Sequence, residues 1–145
     1  MKIHIILLFL FFGTLSCARI SSGGFWTKFR QSEIVSKELD HGPYGGKTEI
    51  HWKGNKVLKT NQIIEFSHAN GWDLIDTTKV NLGFSNQILK YRFDASELQN
   101  KTILYLKSNL LTINEDKKLE TEVNCFAILN ARKDELIIYH YWGDF

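Results

Sequence analysis

The stretch "EVNCFAILNARKDELIIYHYW", Glu122 to Trp142, decides the fold. Two apolar runs, Glu122–Asn130 and Glu135–Trp142, flank the polar tetrad "ARKD" at Ala131–Asp134. Short runs rich in Ile, Leu, Phe and Tyr, split by a brief polar break, form a β-hairpin. Side chains alternate along the second arm. Tyr139 and Tyr141 fall on one face, while Leu136, Ile138, His140 and Trp142 share the other. One of these faces must be core, and the other then presents aromatic groups.

Upstream the chain repeats this pattern. "TILYLK" (102–107) and "NLLTIN" (109–114) are further extended runs, and "EDKK" (115–118) is a polar turn. "ILKYRF" (88–93) predicts a strand with Leu89, Tyr91 and Phe93 on one face and Lys90 and Arg92 on the other, followed by the connection "DASELQNK". Earlier still, "KTEIHW" (47–52) alternates, placing Thr48, Ile50 and Trp52 opposite Glu49 and His51. "EIVSKEL" (33–39) leads into the turn cluster "DHGPYGG", which holds the only proline, Pro43. "WDLIDTTKV" (72–80), rich in β-branched residues, is extended. The one good helix is "NQIIEFSHAN", Asn61–Asn70, with Thr60 or Asn61 as cap and Asn70-Gly71 as a left-handed stop. "FWTKF" (25–29) is either a short helix or a packed arm. These runs predict an α+β fold: a curved antiparallel sheet of about seven or eight short strands with one main helix at about 61–70. No strand–helix–strand alternation calls for a parallel sheet. The helix covers one face; the other is partly solvated or cupped around something.

The amino terminus has a different character. Lys2 precedes the apolar run "IILLFLFF", Ile5–Phe12, which Gly13, Thr14 and Ser16 then break. That layout is a secretory signal peptide over residues 1–16. The apolar stretch falls short of the roughly 20 residues a spanning helix needs. Leu15, Ser16 and Cys17 resemble the lipobox of bacterial lipoproteins, although Leu15 stands one place nearer the cysteine than is usual there. The resemblance covers the leader alone. It implies a lipid on Cys17 and hence a membrane anchor, and since Ala18 rather than aspartate follows, it points to the outer membrane before the inner. A cut after Ala18, with Ser16 and Ala18 as the small residues, is the alternative and gives a secreted or periplasmic protein. Cys17 and "ARISSGG", residues 17–24, form a flexible tether, and residues 25–145 a single α+β domain. Seven residues stretch to at most about 25 Å, so the domain stays close to its bilayer.

The composition sets bounds on function. The chain has 145 residues and a net charge of +2, with Lys2 in the leader. Charge so nearly balanced supplies no clustered basic face for nucleic acid. With Cys17 acylated, Cys125 is the one remaining thiol, and its strand neighbours Val123 and Ala127 make it a buried, inert one. Asn100-Lys101-Thr102 matches a glycosylation sequon by pattern only.

Catalytic motifs are missing from the sequence: no nucleophile elbow, phosphate-binding loop, dinucleotide glycine fingerprint or H-E-x-x-H occurs. His41, His51, His68 and His140 lie far apart, so neither a metal nor a cofactor is expected. His41 reads as a turn residue, His51 and His68 as residues on solvated faces, and His140 as a hydrogen-bonded core histidine. Asp73, Asp76, Glu115 and Asp116 read as solvated charges. What stands out is tyrosine. Tyr139 and Tyr141, joined by Tyr91 and Tyr105 from other strands, predict a recognition surface, since tyrosine offers large contact area at low entropy cost. The expectation is a lipid-anchored envelope module that binds a protein, peptide or glycan, with an inhibitor or immunity-type lipoprotein as one version. A small envelope hydrolase assembled from separate strands is the alternative.

Overall fold

The structure, a computed structural model, describes residues 23–41, 45–81, 86–108 and 124–143. Six antiparallel strands form one sheet: β1 (Ile34–His41), β2 (Gly45–Lys53), β3 (Trp72–Lys79), β4 (Thr102–Ser108), β5 (Cys125–Leu129) and β6 (Glu135–Gly143). Their spatial order is β1-β2-β6-β5-β4-β3. The described strands number six rather than seven or eight, and "NLLTIN" lies outside the described residues. Helix α1 (Thr60–Ala69) connects β2 to β3. Two short helices, α2 (Gln87–Arg92) and α3 (Ala95–Leu98), connect β3 to β4. The α+β class therefore holds.

Both faces of the sheet are covered, at least in part. The first face carries Ile50, Trp52, Leu104, Leu106, Cys125, Ala127, Leu129, Leu136 and Ile138. Ile63 of α1 and the aromatic arm before β1 pack onto it. That arm is a 3-10 helix, Gly24–Lys28, so "FWTKF" is both a short helix and a packed arm. Trp26 is fully buried within ring contact of Phe25, Phe29, Phe66, Trp52 and Trp72. The Trp52 indole N–H donates to the Phe29 carbonyl at 2.7 Å, stitching the arm to β2. Gly23 packs so tightly on Thr48 that a side chain there would overlap it. Gly23 and Gly24, expected to end a flexible tether, belong to the folded body instead.

The second face holds Ile103, Phe126, Ile128 and Tyr139, covered by Val80, Leu89, Phe93 and Leu98. Here the sequence expectation fails: Gln87–Arg92 is helix α2, not a strand. Leu89 and Phe93 are four residues apart, a spacing that puts both on one side of a helix as readily as on one side of a strand. Asn86 decides between them, since its side chain accepts the Leu89 N–H at 3.0 Å and caps the helix. Within "DASELQNK", the Asp94 N–H donates to Glu97 Oε2 at 2.7 Å and starts α3.

The main helix forms where the sequence predicts it, but its cap differs. α1 runs one residue earlier than read and stops at Gly71, whose φ of +81° is the left-handed region glycine adopts freely. Its cap position is Lys59, with no side-chain bond, so neither Thr60 nor Asn61 caps it. β5 is buried along its whole length because it lies between β6 and β4 with both faces covered. The edge strands β1 and β3 each carry one register shift, at Ile34/Ser36 and Leu74/Asp76. Such bulges twist an edge away from stray pairing. Among the described residues no helix is long and apolar enough to cross a membrane.

Candidate functional site

Alternation along β2 sends Glu49 and His51 to the second face, as the sequence predicts, but neither is simply solvated. Glu49 lies mid-strand between Glu38 of β1 and Tyr139 of β6. It is only 4 % exposed. Arg92, at the end of α2, reaches down to it: Nε donates to Oε2 at 2.6 Å and Nη2 to Oε1 at 2.6 Å. This is the two-pronged pairing for which the planar guanidinium suits a carboxylate. His51 Nε2 lies 2.7 Å from Oε1 of the same carboxylate. The guanidinium also sits over the Phe93 ring, 5.1 Å from its centre.

Electrostatics follow from this geometry. Burial by itself pushes the Glu49 carboxyl up, but hydrogen bonds from His51 and Arg92, with the Arg92 charge, outweigh it and hold the group at about 2. The Arg92 guanidinium moves up through its bond to Glu49. Burial raises the Tyr139 phenol, and the Glu49 charge beside it raises it further. At neutral pH Glu49 is therefore always an anion, with both oxygens engaged. The cluster acts as a clamp that holds α2 against the sheet. It is poorly suited to passing protons, because a general acid or base needs a pKa near the working pH.

Next to His51 is an open depression of about 190 Å³. Val35 from the β1 bulge, Lys53, Lys101, Glu135 and Ile137 are among the residues that line it with His51. Lys53 and Glu135 pair at 2.7 Å. A broader hollow of about 360 Å³ adjoins it, sharing Lys53 and Glu135 and adding Arg132 and Asp134 from the β5–β6 turn.

The four expected tyrosines do not form an exposed stripe. Tyr105 and Tyr139 lie in one cross-strand row with Phe126 between them. Tyr139 is only 5 % exposed, and Tyr105 and Tyr141 are half-buried against the second core. Tyr91 is 82 % exposed but stands on α2, not on a strand. The two short helices over this face are the reason. His140 is buried between the rings of Trp72 and Trp142, at 4.9 and 5.1 Å, as a core histidine should be. His68 is exposed and bonds Asp73 at 2.8 Å. His41 ends β1 rather than lying in the turn. Asp76 is exposed on edge strand β3. Glu115, Asp116 and Cys17 lie outside the described residues. Cys125 is a fully buried thiol, as expected, and its Sγ–H donates to Asn124 Oδ1 at 3.0 Å. Among the described residues no three His, Cys, Asp or Glu side chains gather closely enough to hold a metal ion. The residues that sequence reasoning missed are Glu49 and Arg92, which are 43 positions apart. No spacing rule links such a pair; the only hint was an acid on a β2 face opposite three core residues.

Set against known proteins, the chain matches no family model, no curated protein and no solved structure.

Proposed function

We propose that the chain is a binding module of the cell envelope, held at a membrane by a lipid on Cys17 and acting through the second face of its sheet. The lipobox-like Leu15-Ser16-Cys17 supports the anchor, and Ala18 favours the outer membrane. The observation that carries the binding role is the Glu49 clamp. Among the described residues the one acid buried on that face is spent, ionised and pinned by Arg92 and His51, so it builds a rigid platform rather than a proton relay. An open depression sits directly beside it. A protein, peptide or glycan is the class of partner, and neutralising an incoming effector, as an immunity-type lipoprotein does, is one version of the role. Feeding cells a clickable fatty acid tests the anchor. The wild type takes up label and fractionates with membrane, and Cys17→Ala loses both. Label that persists in Cys17→Ala, or a wild-type product that begins at Arg19 and is freely soluble, refutes it.

One observation favours the hydrolase reading. His51 pairs with a carboxylate, and Ser36 of β1 stands opposite it across the strand pair. A serine, a histidine and an acid are the ingredients of nucleophilic catalysis. Arg92 weighs against it, because the Glu49 charge it neutralises is the charge that would steady a protonated imidazole. A fluorophosphonate probe separates the two readings: covalent labelling that Ser36→Ala abolishes establishes the hydrolase, and no labelling leaves the binding module.

A further inference from the structure

We infer that the β2–α1 loop and the β5–β6 turn, interlocked at one end of the sheet, form a contact surface for anionic phospholipid headgroups. The inference rests on the envelope reading and adds to it a direct contact between the folded body and the bilayer. Its first support is charge. The chain totals only +2, but the charges are unevenly spread. Segments 30–33, 53–59 and 130–135 meet at this end, where Lys53 of β2 stands opposite Glu135 of β6 and Arg30 Nη1 donates to the Lys56 carbonyl at 3.2 Å. They carry six cations and three acids, a net of +3. Arg30 is spent on Glu33 at 3.1 Å and Lys53 on Glu135 at 2.7 Å. Lys56, Lys59, Arg132 and Lys133 are left against Asp134 alone. All four are exposed, and among the described residues none of them joins an ion pair. Lys79 and Lys101, at the neighbouring ends of β3 and β4, are balanced at most by Asp94 and Glu97 beside α3, so the excess stands. A complementary partner is an anion.

Backbone bonding gives the second support. The Gly54 N–H donates to the Asp134 carbonyl at 3.0 Å, and the Leu58 N–H donates to the Lys133 carbonyl at 2.6 Å. Leu58 is itself buried in the first core and anchors the loop there. The two cationic segments are thus fixed side by side before any ligand arrives, which lowers the entropy lost on binding.

Side-chain chemistry gives the third support and selects lipid among anions. Three of the four unmatched cations are lysines. These are point charges on flexible stems, which suit a diffuse field of phosphates better than one planar carboxylate. Val57 stands beside Lys56 and is 61 % exposed. An aliphatic side chain among cations enters the headgroup boundary while the ammonium groups meet the phosphates. A nucleic-acid strand calls instead for aromatic side chains on which bases stack, and segments 53–59 and 130–135 contain none.

Sedimentation with lipid vesicles is the test. The Cys17→Ala chain carries no acyl group on that residue, and whatever its amino terminus adds is common to every variant built on it. Its partition onto vesicles of phosphatidylcholine with about 30 % phosphatidylglycerol is compared with its partition onto phosphatidylcholine alone. The preference for the anionic vesicles is expected to fall about tenfold when Lys56 and Arg132 are both replaced by Glu, and to be kept in Lys56→Arg. Lys37→Glu with Lys90→Glu makes the same change of charge on β1 and α2 and serves as the control that leaves the preference in place. Val57→Asp weakens binding, and Val57→Leu keeps it. Tryptophan emission identifies any variant that has unfolded. For such a variant the salt dependence of the parent chain decides: its preference falls between about 20 and about 200 mM salt, as screening of charge contacts requires. No preference for the anionic vesicles, an equal loss in the control pair, or salt-independent binding overturns the inference. So does binding of inorganic phosphate or of a Glu-Leu-Glu-Leu-Glu peptide that needs Lys56 and Arg132 while the vesicles bind nothing. Every outcome is read without an acyl group on Cys17, so failure here is distinct from failure of the anchor.

Discussion

Replacing Glu49 by Gln keeps the shape of the buried side chain and removes its charge. Its ordinary pKa of 4.5 falls to about 2 in the folded chain. At about 1.4 kcal/mol per pH unit, that difference corresponds to about 3 kcal/mol of stabilisation. Arg92 and His51 are 41 % and 31 % exposed, so water screens part of it. About 2 kcal/mol is the expected loss at pH 7. The folded-state pKa lies below the unfolded one, so the contribution is complete above pH 4.5 and drains away as pH falls through about 2. Near pH 3 less than half of it remains, or about 1 kcal/mol. Urea unfolding followed by tryptophan emission measures this directly, because Trp26, Trp52 and Trp72 are all buried. The informative quantity is wild type minus Glu49→Gln, since every other carboxyl cancels in it. A gap of the same size at pH 7 and pH 3, or no gap at pH 7, refutes the clamp.

Other perturbations test neighbouring parts of the structure. Arg92→Lys replaces a fork with a single point of charge; the Glu49 pKa, read by carbon NMR of its carboxyl, should rise toward 4.5 while stability drops by about 1 kcal/mol. An unmoved carboxyl would show that Arg92 does not hold it. The Thr48 hydroxyl is fully buried with no hydrogen-bond partner among the described residues, so Thr48→Val should raise stability by about 1 kcal/mol in urea unfolding, and a loss would mean the hydroxyl is satisfied in solution. At Gly46 an added Cβ would overlap the Asp40 carbonyl and the Trp142 ring; Gly46→Ala should cost about 1–3 kcal/mol and speed amide exchange across β1–β2, and unchanged exchange would argue against that close approach. Finally, Cys125 is at 0 % exposure and should react with Ellman's reagent only in denaturant, so a fast reaction in the native protein contradicts its burial.

Where the chain alternates, its structure was legible in advance. Thr48, Ile50 and Trp52 face one core and Glu49 and His51 the other side, because period-two patterning reports burial directly. The hairpin of β5 and β6 was equally plain, since four polar residues between apolar runs leave the chain little else to do. "ILKYRF" misled for the same reason. Its alternation is also a pair of apolar residues four apart, and the deciding feature, the Asn86 cap, is a single side chain outside the run. The tyrosines do not form one exposed stripe because a sequence states which residues share a face but not what lies on top of it; here α2 and α3 do. The clamp was illegible in principle. Glu49 and Arg92 are brought together by the packing of Leu89 and Phe93, and only the assembled second core sets that distance.

The pairing of β2 with β6 places residues 45–53 against 135–143 in the middle of the sheet. Nine consecutive cross-strand partners thus join segments more than 80 positions apart, and they unite what would otherwise be two separate ribbons, β1–β2 and β3–β4–β5–β6. Contacts of such long sequence span form slowly, since the intervening chain must be gathered first. A chain emerging from the ribosome can therefore make its early hairpin and still lack a keystone until β6 has appeared. Were the chain exported as proposed, that late closure would preserve a stretch of time in which it could still pass a translocation pore as a thread.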